Sequence, residues 1–158
     1  MCEPASMIVT RERVLWLPES DKHEDILKHY KLHDGVSGGD FVRVEINPPG
    51  GYRYDAPLAE WVFRTDQRDT PEWYNAEWAE TIVREELPKW MTERTITENR
   101  TIMGGVHFVL VGAPTITLNG GEVRTRATSA PTITVNGGVV RTWDTSAPKI
   151  TDNRKKTK

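Results

Sequence analysis

From residue 113 onward the chain repeats itself. APTITLNGGEVRTRATS at 113–129 is followed directly by APTITVNGGVVRTWDTS at 130–146, and the two differ only at 118/135, 122/139, 126/143 and 127/144. A third copy starts at Ala147, Pro148, Lys149, Ile150 and Thr151 and breaks off. Thr101, Ile102, Met103, Gly104, Gly105 and Val106 read as a degenerate copy ahead of the first. Self-similarity at a fixed short period means one supersecondary unit stacked on copies of itself. Two arrays satisfy that constraint. Asn-Gly at 119–120 and again at 136–137 is a strong hairpin signal, which would make each unit a hairpin and the array a meander. In the other array each unit is two strands and two corners, one coil of a β-solenoid. Ile116 then stacks on Ile133, Leu118 on Val135 and Val123 on Val140, with coils about 4.8 Å apart.

The residues ahead of the array read differently. VLWL at 14–17 is a strand candidate stopped by Pro18. Ser20 and Asp21 offer helix caps, and Ile26, Leu27 and Tyr30 fall on one face of a helix over 23–32, ended by Gly35, Gly38 and Gly39. FVRVEI at 41–46 alternates, with Val42, Val44 and Ile46 on one face and Arg43 and Glu45 on the other, as a half-buried strand does. The NPPGG run at 47–51 forces a turn, and Trp61, Val62 and Phe63 begin the next strand. A second helix starts at Thr70-Pro71 or, capped by Asn75, at Ala76; Pro88 ends or kinks it. The expectation is an α+β domain over 1–100 ordered β-α-β-β-α. The all-β repeats follow over 101–151 and a disordered basic tail over 152–158.

Charge divides the chain near the same place. Residues 1–100 carry 20 acidic and 13 basic side chains, whereas residues 101–158 carry 3 acidic and 8 basic. Six tryptophans in 158 residues imply that most are core. One cysteine, Cys2, excludes an internal disulfide framework and a cysteine-based zinc site. No stretch approaches the roughly 20 apolar residues of a membrane span, and no basic start leads into an apolar run. A cytoplasmic protein without a membrane partner is the expectation.

Four groups of residues invite a functional reading. His29 and His33, four apart with Asp25 one turn earlier, would share a helix face as metal ligands must. His23-Glu24 begins a zinc-protease motif, but Leu27 stands where its second histidine belongs. Acidic residues cluster on the second helix, Glu77 and Glu80 among them, as a solvated side or an acidic binding face. Arg124, Arg126, Arg141 and Trp143 alternate along the repeats and would project from one surface. Arginine beside tryptophan is the chemistry of binding hot spots and of single-strand stacking platforms. A nucleic-acid partner has no motif behind it, however. Thr115, Thr117, Thr132 and Thr134 form a further ladder in the solenoid. No phosphate loop, nucleophile elbow or cofactor motif is present, so no enzyme, cofactor or bound metal is expected.

VVRTWDTS resembles the ATVRAWDS-type eight-residue units found in tandem in phage and prophage proteins. VLWLPESDKHEDILKHYKLHDG, FVRVEINPPGG and the stretch from TDQ through PEWY to LPKW resemble the N-terminal domain of uncharacterised proteins carrying such solenoid tails. The resemblance covers roughly residues 8–150 and favours the solenoid. It implies a phage or mobile-element protein that binds a macromolecule without catalysis. One concrete version is an inhibitor of a host defence complex, of the anti-CRISPR kind. Two alternatives stand beside it. One is a structural module that forms a homo-oligomer through its repeat ends, with self as the protein partner. The other is a small metal-dependent enzyme using His29 and His33.

Overall fold

The computed structural model describes residues 5–33, 39–51, 53–126, 128–143 and 145–154. Cys2, Gly35, Gly38 and tail residues 155–158 lie outside them. The chain divides into two units, Met1–Met91 and Thr92–Lys158.

The first unit is built on a four-stranded antiparallel sheet. In chain order its elements are β1 (Ser6–Thr10), β2 (Val14–Leu15), α1 (His23–His29), β3 (Phe41–Asn47), β4 (Val62–Thr65) and α2 (Ala76–Arg94), whose last turn enters the second unit. The strand order is β2-β1-β3-β4. The alternation analysis did not find β1, because Met7, Ile8 and Val9 form an unbroken apolar run with every side chain buried. The Thr10 hydroxyl shapes the turn into β2 by accepting the backbone N–H groups of Glu12 and Arg13.

β3 is buried on both faces rather than one. Val42, Val44 and Ile46 are fully buried on one side, and Phe41 and Glu45 are buried on the other. Ile26 and Leu27 of α1 cluster with Phe41 and Ile8 on that second side, so the helix covers a face that alternation assigns to water. The helix itself is shorter than expected. It stops at His29, and Lys31 takes a positive φ of 55° two residues later.

α2 starts where Asn75 caps it, the Asn75 side-chain oxygen accepting the Trp78 N–H at 2.8 Å. It continues through Pro88 instead of ending there. An interior proline costs about 3 kcal/mol, and Leu87 and Trp90, both fully buried, supply packing on that scale. Trp61 meets Tyr54 and Trp90 edge to face, making the aromatic centre of this unit. Only Trp61 and Trp90 are buried tryptophans. Trp16, Trp73 and Trp143 are half-buried and Trp78 is exposed, against the expectation that most would be core.

The second unit is a two-sided parallel β-solenoid. Its strands are β5 (Arg100–Ile102), β6 (Val106–Val109), β7 (Thr115–Leu118), β8 (Glu122–Thr125), β9 (Thr132–Val135), β10 (Val139–Thr142) and β11 (Lys149–Asp152). They alternate between two sheets, ordered β11-β9-β7-β5 and β10-β8-β6. All pairings within these sheets are parallel, so the Asn-Gly dipeptides do not close hairpins and the meander is excluded. Ile116 lies on Ile133, Leu118 on Val135 and Val123 on Val140, as the repeat alignment predicts. The degenerate copy is also real: Ile102 pairs with Leu118 and Val106 with Glu122. The core is the stack of Ile96, Ile102, Val109, Ile116, Leu118, Val123, Ile133 and Val135.

Candidate interaction surfaces and side-chain clusters

Each coil turns from one sheet to the other through a glycine pair. Beside it, asparagine side chains form a ladder up the solenoid. The Asn136 amide donates to the Asn119 carbonyl oxygen at 2.9 Å, and the Asn153 amide to that of Asn136 at 3.1 Å. Amide ladders of this kind need identical residues in register on successive rungs. The repeat supplies them, and extends to Asn153 in the incomplete third copy.

The two ends of this stack differ. At the first coil, Thr95 bridges Phe108 in parallel, the Ile96 N–H donates to the Phe108 carbonyl at 2.8 Å, and Ile96 is buried in the core. Arg94, the last residue of α2, is fully buried and donates to the Val106 carbonyl at 2.8 Å.

At the last coil, β11 is exposed along its whole length and Ile150 keeps 48% of its surface. The Lys149 and Asn153 N–H groups point back to Pro131 and Val135, and those of Val139 and Trp143 to Gly121 and Thr125. In a parallel ladder alternate residues turn their N–H and C=O to opposite sides. Those of Val140, Thr142 and Ile150 therefore face away from the solenoid, and among the described residues no strand pairs with them. Half of this end is polar. Asp152 occupies the column of Leu118 and Val135, is paired with Arg154, and Arg154 also donates to the Gly138 carbonyl at 2.9 Å.

The arginine surface is only partly as expected. Arg124 and Arg141 share one face in register, and Glu122 pairs with both, at 2.5 and 3.1 Å. The Arg124 guanidinium lies 5.8 Å from the Trp143 ring centre. Arg126 does not project with them. β8 ends at Thr125, and Arg126 is buried in the corner, its carbonyl accepting the Ser129 N–H. The threonines do line the opposite sheet, Thr101, Thr117, Thr134 and Thr151 in one column.

Glu77 and Glu80 belong to the first unit and the arginines to the second. Glu77 is exposed on the first turn of α2, and Glu80 pairs with Arg84 at 2.7 Å. The expected histidine face does not form. His29 is the last residue of α1 and His33 lies beyond it, so their spacing of four carries no helical geometry. Asp25 accepts the Ser20 hydroxyl at 2.5 Å.

Among the described residues, ligand-type side chains converge once, at His23, Glu45 and Asp66, with one ligand atom from each lying within 4.8 Å of the others. His23 opens α1 and is buried, Glu45 is buried in β3, and Asp66 is exposed just after β4. His23 joins this grouping without the zinc-protease motif, which Leu27 rules out. The signal that could have found it is the lone acid in a strand otherwise rich in buried residues.

No family model, curated protein or solved structure matches this chain. Among the described residues no helix is long and apolar enough to cross a membrane.

Proposed function

We propose that this chain is a non-enzymatic binding protein whose working surface is the open end of its solenoid, and that its partner there is a second copy of itself. The observation that carries this reading is the row of outward N–H and C=O groups at Val140, Thr142 and Ile150, beside the half-exposed Ile150. A strand edge next to apolar surface is a template for another strand. A two-fold axis at Thr151 would lay β11 antiparallel against the second copy's β11, with the outward groups of Ile150 turned toward it. Arg94, Thr95 and Ile96 close the β6 side of the first coil, which disfavours head-to-tail growth. The association is then isologous and stops at a dimer.

The reading as a phage-encoded inhibitor of a host defence complex is supported by the resemblance of the repeats and of the N-terminal stretches alone. The arginine face adds little to it, because Glu122 pairs with both Arg124 and Arg141 and leaves a single net positive charge there.

Light scattering on the eluting protein tests the proposal. The expected result is a dimer that dissociates on dilution, and a monomer for Ile150→Lys with an unchanged circular dichroism spectrum. A strict monomer at all concentrations, or an Ile150→Lys dimer, overturns it.

A further inference from the structure

The His23, Glu45 and Asp66 cluster lies in the first unit and stands independently of the solenoid reading. Its chemistry is set by His23. The Nε2 atom lies 3.1 Å from the Val44 carbonyl oxygen. A carbonyl only accepts, so Nε2 carries the proton, and in the neutral ring Nδ1 holds the lone pair. That lone pair faces the Asp66 Oδ2 at 3.4 Å. Either a proton on Nδ1 or a bound cation fits between them, and the three ligand atoms of His23, Glu45 and Asp66 lie close enough to share one ion.

Glu45 adds a second carboxylate. It is 1% exposed, and Arg64 engages its Oε2 through both Nε and Nη2. The charged and titratable groups of the cluster are His23, Asp66, Glu45 and Arg64.

We propose that His23, Asp66 and Glu45 bind a divalent transition-metal ion of the zinc class. Zinc takes nitrogen at about 2.0–2.1 Å and carboxylate oxygen at about 2.0–2.2 Å, which places tetrahedral neighbours about 3.4 Å apart. The His23–Asp66 pair has that spacing without rearrangement. An imidazole ligand whose other nitrogen donates to a backbone carbonyl is the usual outer-shell arrangement of a metal-bound histidine, fixing both tautomer and ring orientation. Arg64 does the same for the Glu45 carboxylate. Asp66 keeps its side chain 38% exposed, so an ion reaches the site from solvent and the fourth position is open to water.

Titration of the purified full chain with zinc ion, by calorimetry and by thermal unfolding, tests this. The expected result is one ion per chain and a melting temperature that rises with zinc concentration by mass action. Cobalt(II) at the same site should give the visible absorption of a tetrahedral complex. Asp66→Asn, at a position 38% exposed, and His23→Gln should each weaken binding about tenfold or more. Absence of zinc binding by the wild-type chain overturns the proposal and leaves a proton on Nδ1 as the positive group. Undiminished binding by Asp66→Asn also overturns it, by placing the ion elsewhere on the chain.

Discussion

His107 points into the solenoid, in register with Val123, and is 2% exposed. Its Nε2 donates to the Gly104 carbonyl at 3.0 Å. Burial first, and then the positive charges of Arg94 and Arg100, lower its pKa from 6.5 to about 4. The folded value lies below the unfolded one, so between those limits the unfolded chain takes up a proton that the folded chain refuses. The stabilisation is complete above about pH 6.5 and is lost as pH falls toward 4. Its upper size is about 3 kcal/mol, at about 1.4 kcal/mol per unit. Urea unfolding at pH 7 and pH 5 should show a loss of stability in the wild type that His107→Gln largely removes; equal losses in both would contradict the assignment. Nothing in the sequence marks this histidine, because its burial depends on a rung pairing set 16 residues later. Arg126 shows the complementary failure. Alternation extrapolates it outward, but the strand stops at Thr125 and the corner turns the residue in. Ile116 and Ile133 were legible because identity between copies reports stacking directly.

At the scale of the element, the coil corners are the most constrained parts. Gly138 has φ +80°, and a Cβ there would lie 2.4 Å from the Gly121 carbonyl oxygen. Gly112 has nearly the same φ, +79°, with nothing within 4 Å. The pair separates backbone strain from coil-to-coil crowding. Gly112→Ala should cost about 1–2 kcal/mol, the price of a left-handed residue. Gly138→Ala should cost at least about 2 kcal/mol more, since the backbone of the coil below must shift to admit the methyl group. Denaturant midpoints of the two variants measure the difference, and equal costs would mean that the coils do not touch as tightly as the geometry states. The same glycines explain why the sequence alone left hairpin and solenoid open. Asn-Gly suits a tight turn in both, and only the parallel register and the 119–136–153 amide ladder decide between them. The helices were legible as helices but not at their ends. α1 stops early, which removes the His29–His33 face, and α2 passes Pro88 because tertiary packing outweighs a local penalty.

At the scale of the whole molecule, the division into two units was visible as a change in charge and pattern near residue 100. The structure places it at Met91 and Thr92, because Thr95 and Ile96 already belong to the first rung. The repeat has one further consequence. Residues 130–146 contribute an inward Ile133, Val135 and Val140, a ladder asparagine at 136 and a glycine pair at 137–138, each placed to stack on its counterpart 17 positions away. Solenoid stability is approximately a sum over coils and coil-to-coil contacts. A second copy of residues 130–146 inserted after Ser146 should therefore fold as a new coil. It adds one rung beneath β11, which remains the last strand, and raises the unfolding midpoint of the solenoid. An insert shortened by one residue within its second strand shifts the following side chains to the opposite face and should lower the midpoint instead. Circular dichroism and denaturant unfolding of the two insertions distinguish them, and equal midpoints would show that the array is not modular. The longer insert ends on the same β10 and β11 sequences. If the last coil is the dimer surface, as proposed, the longer chain should dimerise with the same affinity as the parent, which would tie self-association to the composition of the last coil and not to the number of coils beneath it.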